Sequence, residues 1–191
     1  CTGLFSITIP DSVSRIGDSA FCRCTSLESI TLPFVGNTLN GSENTHFGYI
    51  FGAHSYNENS QYVPESLKEI VVTGATDIAQ YAFSDCIRLT TITLLDSVTG
   101  ICDAAFRGCT GLTSITVGNG VANIGDAAFY GCTHLTSVTV GNSVTSIGDQ
   151  AFKGCTGLAT ITLPDSVTSI GGSAFSGCTG LATITIPDSV T

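Results

Sequence analysis

The sequence predicts a β-rich repeat solenoid. Three observations carry that reading: a self-similarity of 23 residues, a two-residue alternation of β-branched side chains in each unit, and no helix-length run between Gly and Pro breaks. Leu89, Leu112, Leu135, Leu158 and Leu181 fall 23 residues apart. Going backward, Leu67 opens a unit of 22 residues, Leu27 one of 40 and Leu4 one of 23. Seven full units and a fragment fill positions 1–191, so a single solenoid with an expanded second unit is expected. A unit this short cannot close a core alone, and stacking on its neighbours is what buries its apolar side.

Each unit resolves into pieces. The first is a short strand. Ile7, Ile30, Ile70, Ile92, Ile115, Val138, Ile161 and Ile184 share one column, and Ile9, Leu32, Val72, Leu94, Val117, Val140, Leu163 and Ile186 share the column two residues on. That alternation marks a half-buried strand. Pro-Asp or Gly-Asn follows, as in Pro164–Asp165 and Gly141–Asn142, and predicts a turn. A second short extended piece ends at Ile16, Ile78, Ile101, Ile124, Ile147 or Ile170, and the Gly usually next is expected to bend the chain. An Ala-Phe pair such as Ala128–Phe129 then reads as a tight turn or single helical turn that inserts its ring into the core. The second unit departs from this pattern between residues 34 and 66. There Phe47, Ile50 and Phe51 are expected to replace the missing ring, with Asn57 to Gln61 as an exposed tip.

Composition excludes several classes. Fifteen acidic residues against six basic ones give a formal charge of −9, the reverse of the basic stripe that nucleic acids require. A hydrophobic share of 42% argues against disorder, and no apolar run approaches the ~18–20 residues of a membrane-spanning helix. Without methionine the chain reads as a piece of a longer protein, with further repeats expected at both ends.

The Leu-x-x-Ile-Thr-Leu-Pro strand, the Ile-Gly bend, the Ala-Phe pair and the Gly-Cys step together resemble the BspA-like class of leucine-rich repeats. The resemblance spans about the whole chain. It implies short parallel strands stacked into one sheet, with turns and single helical turns on the other side. It also implies an extracellular or cell-surface location and attachment to host or neighbouring cells. Proteins of this class are common on host-associated bacteria and some parasitic protists.

No catalytic constellation emerges. The G-x-S-x-G elbow and both phosphate-cradling glycine motifs are absent, and Asp11, Asp96, Asp165 and Asp188 recur at one turn, which marks turn chemistry. The expectation is a non-enzyme with no cofactor and no metal. Cys1, Cys24, Cys86, Cys109, Cys132, Cys155 and Cys178 occupy one column, expected as buried reduced thiols packed as small hydrophobes. Cys132 in particular is expected to have few polar partners. Cys22 and Cys102 lie off the column and are expected at the surface. His46 and His54 read as exposed loop residues, though a metal site with Glu58 is conceivable; His134 sits at a variable position. Asn40-Gly41-Ser42 fits the glycosylation pattern.

The informative surface is a double row of hydroxyls. One row runs Thr8, Thr31, Val71, Thr93, Thr116, Thr139, Thr162 and Thr185; the other runs Ser6, Ser29, Glu69, Thr91, Ser114, Ser137, Thr160 and Thr183. Period-two geometry points both rows to solvent. Thr simply suits such positions and can form Thr–Thr ladders, but solenoids also commonly bind partners on the strand face. Lys68 and Glu69 break the array beside the insert, where Tyr49, His54, Tyr56, Asn57 and Tyr62 offer interface-favoured side chains near them. The favoured function is a binding or adhesion scaffold for a protein or glycan on another cell or matrix. A structural spacer is the alternative, supported by the near-identity of the units, and an ice- or lattice-binding Thr array is a remote one.

Overall fold

The computed structural model describes residues 1–39, 41–74 and 77–191. One strand per unit stacks into a seven-stranded parallel sheet: β1 (Ser6–Thr8), β2 (Ser29–Leu32), β3 (Glu69–Val72), β4 (Thr91–Leu94), β5 (Ser114–Val117), β7 (Ser137–Thr139) and β9 (Thr160–Thr162). The register matches like with like, so Ile30 pairs with Ile70, Ile92 with Ile115 and Val138 with Ile161. Those residues are buried while their neighbours face outward, because the side-chain period of a strand is two. A second, three-stranded sheet comprises β6 (Asn123–Ile124), β8 (Ser146–Ile147) and β10 (Ser169–Ile170), and bridges Ile78–Ile101 and Ile101–Ile124 extend its line. The second extended pieces therefore form a sheet of their own, beyond the single sheet expected.

Between the sheets the side chains stack in columns. Phe83, Phe106, Phe129, Phe152 and Phe175 lie ring over ring with centroids 5.0–5.4 Å apart and planes within 8° of parallel. The backbone sets that arrangement: the Phe129 N–H donates to Ala151 O at 2.7 Å, and Phe83, Phe106 and Phe152 repeat the bond one unit on. The Ala-Phe pair sits in a hydrogen-bonded turn, and among the described residues helical turns are confined to the insert. Leu27, Leu112 and Leu158 occupy equivalent buried positions, as the repeat register requires.

The bend before Ala-Phe is not at the Ile-Gly glycine. The left-handed residue lies two positions later, at Ser19, Tyr81, Ala104, Ala127, Gln150 and Ser173, with φ of 52–59°. The glycines at 125, 148 and 171 serve close stacking instead: a Cβ on Gly171 would lie 2.4 Å from the Asp149 nitrogen.

In the expanded unit, a 3-10 turn at Phe47–Phe51 restores the core. Phe51 receives the ring of Phe21 at 6.3 Å, Phe47 packs on Phe51 at 5.3 Å, and Phe47 hands on to Phe83 at 5.0 Å. A second 3-10 turn (Tyr56–Glu58) and α1 (Asn59–Tyr62) follow.

Two expectations for this segment fail. Asn59, placed in an exposed tip, is fully buried. Its Oδ1 accepts from the Gly48 N–H at 2.8 Å and its Nδ2 donates to Ser84 O at 2.9 Å, so a polar residue is drawn inward to satisfy backbone groups the insert leaves unpaired. His46 is buried as well, its Nε2 3.0 Å from Ala53 O. At the far edge the segment carrying Thr183 and Thr185 forms no strand, so the hydroxyl rows are ordered on the sheet only as far as β9.

Candidate functional site

Hydroxyl side chains divide into two populations. Thr113 and Thr136 donate to the carbonyls of Thr90 and Thr113 at 3.0 Å, and Thr145 and Thr168 donate to Ala122 O and Thr145 O. These columns tie each unit to the one before. The double row on the main sheet behaves differently. Thr93, Thr116, Thr139 and Thr162, with Thr91, Ser114, Ser137 and Thr160 beside them, are exposed or half-buried. Among the described residues their side-chain hydroxyls form no hydrogen bond within the chain, so the Thr–Thr ladder is not made. Strand pairing aligns the rows from β1 to β9, which spaces equivalent hydroxyls by roughly 4.8 Å.

Lys68, Glu69, Glu28, Ser29 and Ser66 line a shallow depression where the rows are interrupted. Lys68 Nζ reaches Arg88 O at 3.3 Å. The insert's tyrosines are not among its lining residues. Tyr56 stacks on Tyr81 at 4.4 Å, Tyr49 packs edge-on to His46 at 6.1 Å, and Tyr62 lies against Gly52. His54 and Asn57 are exposed, and the His54 N–H donates to the Glu58 carboxylate at 2.8 Å. Among the described residues no cluster of three or more His, Cys, Asp or Glu is arranged to hold a metal, and no helix is long and apolar enough to cross a membrane. Asn40 of the glycosylation pattern lies outside the described residues.

Five thiols of the cysteine column pack into the core, whereas Cys1 and Cys178 of that column, expected buried, are exposed and half-buried. All nine cysteines are free, and those at 24, 86, 109, 132 and 155 are buried. Cys132 has a partner that the sequence did not suggest: its Sγ donates to Phe106 O at 3.1 Å, and Cys109, Cys155 and Cys178 repeat the contact. The column is thus a small hydrophobe with a weak donor aimed at the preceding unit's carbonyl. Burial pushes the thiols of Cys86, Cys109 and Cys132 well above their ordinary range, and that of half-buried Cys178 to about 11. Cys22 and terminal Cys1 are exposed. Cys102 is only half-buried rather than exposed, because it lines a groove; burial, then the Asp77 and Asp103 carboxylates, raise it.

Aspartates tie units together too, three of them in a column after the second extended piece and one, Asp96, from the recurring turn. Asp103, Asp126 and Asp149 accept the N–H groups of Asp126, Asp149 and Gly172 at 2.6–2.9 Å, and Asp96 accepts the Asn119 N–H at 2.7 Å. The Arg88–Glu65 contact at 2.9 Å is the one ion pair among the described residues.

Parallel strands, one per 23-residue unit, around columns of Leu, Phe and Cys define a leucine-rich-repeat solenoid. The chain belongs to the BspA-type leucine-rich-repeat family, whose six-copy region matches residues 1–70 and 76–191. A search of curated proteins found no match. Among solved structures, it is similar to a leucine-rich repeat protein of T. pallidum (33% identity, TM-score 0.61, 62% of this chain and 58% of that one). A leucine-rich cell-surface protein of Faecalibacterium prausnitzii matches at 32% identity and TM-score 0.61, over 95% of this chain and 47% of that one. A leucine-rich repeat protein of Bacteroides ovatus matches at 28% identity and TM-score 0.59, over all of this chain and 39% of that one. The chain therefore spans between 39% and 58% of the length of these relatives.

Proposed function

We propose that the chain is a non-catalytic binding scaffold of a cell-surface repeat protein, and that the hydroxyl rows of the main sheet contact a protein or glycan on another cell or matrix. The observation that carries this reading is the division among hydroxyls. Columns elsewhere are tied to backbone carbonyls, whereas Thr93, Thr116, Thr139 and Thr162 keep both donor and acceptor capacity for a partner. Short side chains also leave the strand face accessible, and repetition along the sheet supplies avidity. The surface location follows the resemblance to the F. prausnitzii protein.

The test is capture by immobilised matrix glycoproteins and epithelial-cell glycans, comparing the native chain with a Thr116→Lys/Thr139→Lys variant. Long charged side chains on the ribbon should abolish capture, while Ser176→Lys at an exposed turn should leave it unchanged. Equal capture by all three chains contradicts the reading. A spacer role is favoured by the near-identical units from residue 112 onward; it predicts no capture by any of them.

A further inference from the structure

A second surface lies where the insert meets the third and fourth units. Segments 41–45 and 56 of the insert and segments 77–81 and 102 of the solenoid enclose an open cleft of about 630 Å³. That size suits a small ligand. None of the ribbon residues lines it. Its wall is the Tyr56–Tyr81 pair, with ring centroids 4.4 Å apart and planes 12° from parallel. Tyr81 covers one face of Tyr56, yet Tyr56 remains 36% exposed, so an aromatic surface stays open toward the cleft.

Tyr81 is also the odd residue of its column. The equivalent left-handed positions carry Ser19, Ala104, Ala127, Gln150 and Ser173, all small or flexible, whereas a bulky ring at φ 57° is an unfavourable choice for packing alone.

The polar lining narrows the ligand. Gln80, Ser42 and Thr45 contribute an amide and hydroxyls that form no other bond among the described residues. Asp77 is the charged side chain of the wall, and the Thr99 hydroxyl already donates to it at 2.5 Å. No Lys or Arg lines the cleft. An anionic ligand would meet that carboxylate without a counter-charge. Stacked aromatic surface beside neutral donors and acceptors matches a sugar ring, whose C–H face packs on the ring quadrupole while its hydroxyls take the amide and hydroxyl partners.

We infer that this cleft is a neutral-saccharide subsite, with Tyr56 and Tyr81 as the stacking platform and Gln80, Ser42, Thr45 and Asp77 as hydroxyl partners. It rests on the reading of the chain as a binding scaffold and gives that scaffold a site separate from the ribbon.

The experiment titrates the chain with neutral cello-, malto-, manno-, galacto- and chito-oligosaccharides, read by saturation-transfer NMR and calorimetry. At least one series should bind. Tyr56→Ala and Tyr81→Gln should each weaken binding about tenfold or more. The Gln variant copies what Gln150 places at the same backbone position, so its fold is safe and its result decides if the Ala variant unfolds. Binding should survive Thr116→Lys/Thr139→Lys, which separates this site from the ribbon. No binding by any series, undiminished binding in folded Tyr81→Gln, or binding of a Lys-rich peptide instead overturns the inference. If ribbon-dependent capture persists in the first of those cases, the scaffold reading stands while the cleft proposal falls.

Discussion

Asn59→Ala should be among the most damaging single changes in the insert, although the residue lies in the polar run Tyr56-Asn57-Glu58-Asn59-Ser60-Gln61. The amide is fully buried and spans two units. It accepts from the Gly48 N–H at 2.8 Å and donates to Ser84 O at 2.9 Å and, more weakly, to Ala82 O at 3.4 Å. Ala82 O keeps its bond from the Phe47 N–H at 2.7 Å, so two backbone groups are orphaned rather than three. Each unsatisfied buried group costs about 1–3 kcal/mol, which puts the loss at about 2–6 kcal/mol. Hydrogen exchange should show the Gly48 amide losing protection together with Phe47, while amides of β7 and β9 are unaffected, because coupling in a repeat stack falls off beyond the neighbouring unit. Asn59→Asp sharpens the test. It keeps the acceptor for Gly48 but turns an oxygen toward Ser84 O, so only the protonated acid can restore the second bond. Burial raises the pKa of that acid in the folded state above its unfolded value of about 3.9. Stability relative to the native chain is then nearly complete below about pH 4 and falls as pH rises through the folded pKa. An Ala variant within about 1 kcal/mol of native, or an Asp variant whose deficit does not grow with pH, refutes the clamp.

Other consequences are equally direct. Cys109, Cys132 and Cys155 should resist alkylation until denaturant is added, while Cys22 labels at once; rapid native labelling of Cys132 would contradict its burial. Because folding holds Cys178 neutral to about pH 11, its stabilising contribution is complete below the ordinary thiol pKa and lost as pH rises from there through about 11, visible as late labelling in an alkaline titration. Cys132→Ser should cost only about 1–2 kcal/mol by urea unfolding, since the hydroxyl inherits Phe106 O as an acceptor. Phe129→Ala removes a ring held between two others at 5.0 and 5.1 Å and should cost about 3–5 kcal/mol in the same assay. Gln150→Gly should stabilise by up to about 1 kcal/mol by relieving a left-handed residue, and Gly148→Ala should destabilise by about 1–3 kcal/mol, its Cβ falling 2.5 Å from an Asp126 oxygen; the reverse order in thermal unfolding would return the bend to the Ile-Gly glycine.

The stacking columns were legible in the sequence because one residue type recurs at one spacing. Leu27 to Leu158, the strand isoleucines, the thiol column and the second extended pieces all follow from register, and Phe47, Ile50 and Phe51 stand out as the apolar residues that fill the expanded unit. The left-handed bend is hidden in the sequence because its column holds Ser, Tyr, Ala, Ala, Gln and Ser, residues that share a backbone conformation and no common side-chain chemistry. The neighbouring glycines are the visible pattern, and they answer to close packing. Asn59 and His46 look exposed in the sequence because local polarity cannot reveal which backbone groups an irregular loop strands across a unit boundary. Both hydroxyl rows were visible as a pattern. Their lack of internal partners was not, since Thr113 and Thr116 look alike in one dimension and differ only in which way they point. The Tyr56–Tyr81 stack joins residues that no repeat relation links.

The most direct test of the ribbon as the contact face is a methyl NMR footprint of chain labelled at threonine, titrated with whichever matrix glycoprotein or cell-surface glycan it captures. Perturbation concentrated at Thr93, Thr116, Thr139 and Thr162, with the carbonyl-bonded Thr113, Thr136, Thr145 and Thr168 unmoved, is the predicted result. Capture that leaves the first set unperturbed, or no capture from the whole panel, contradicts it.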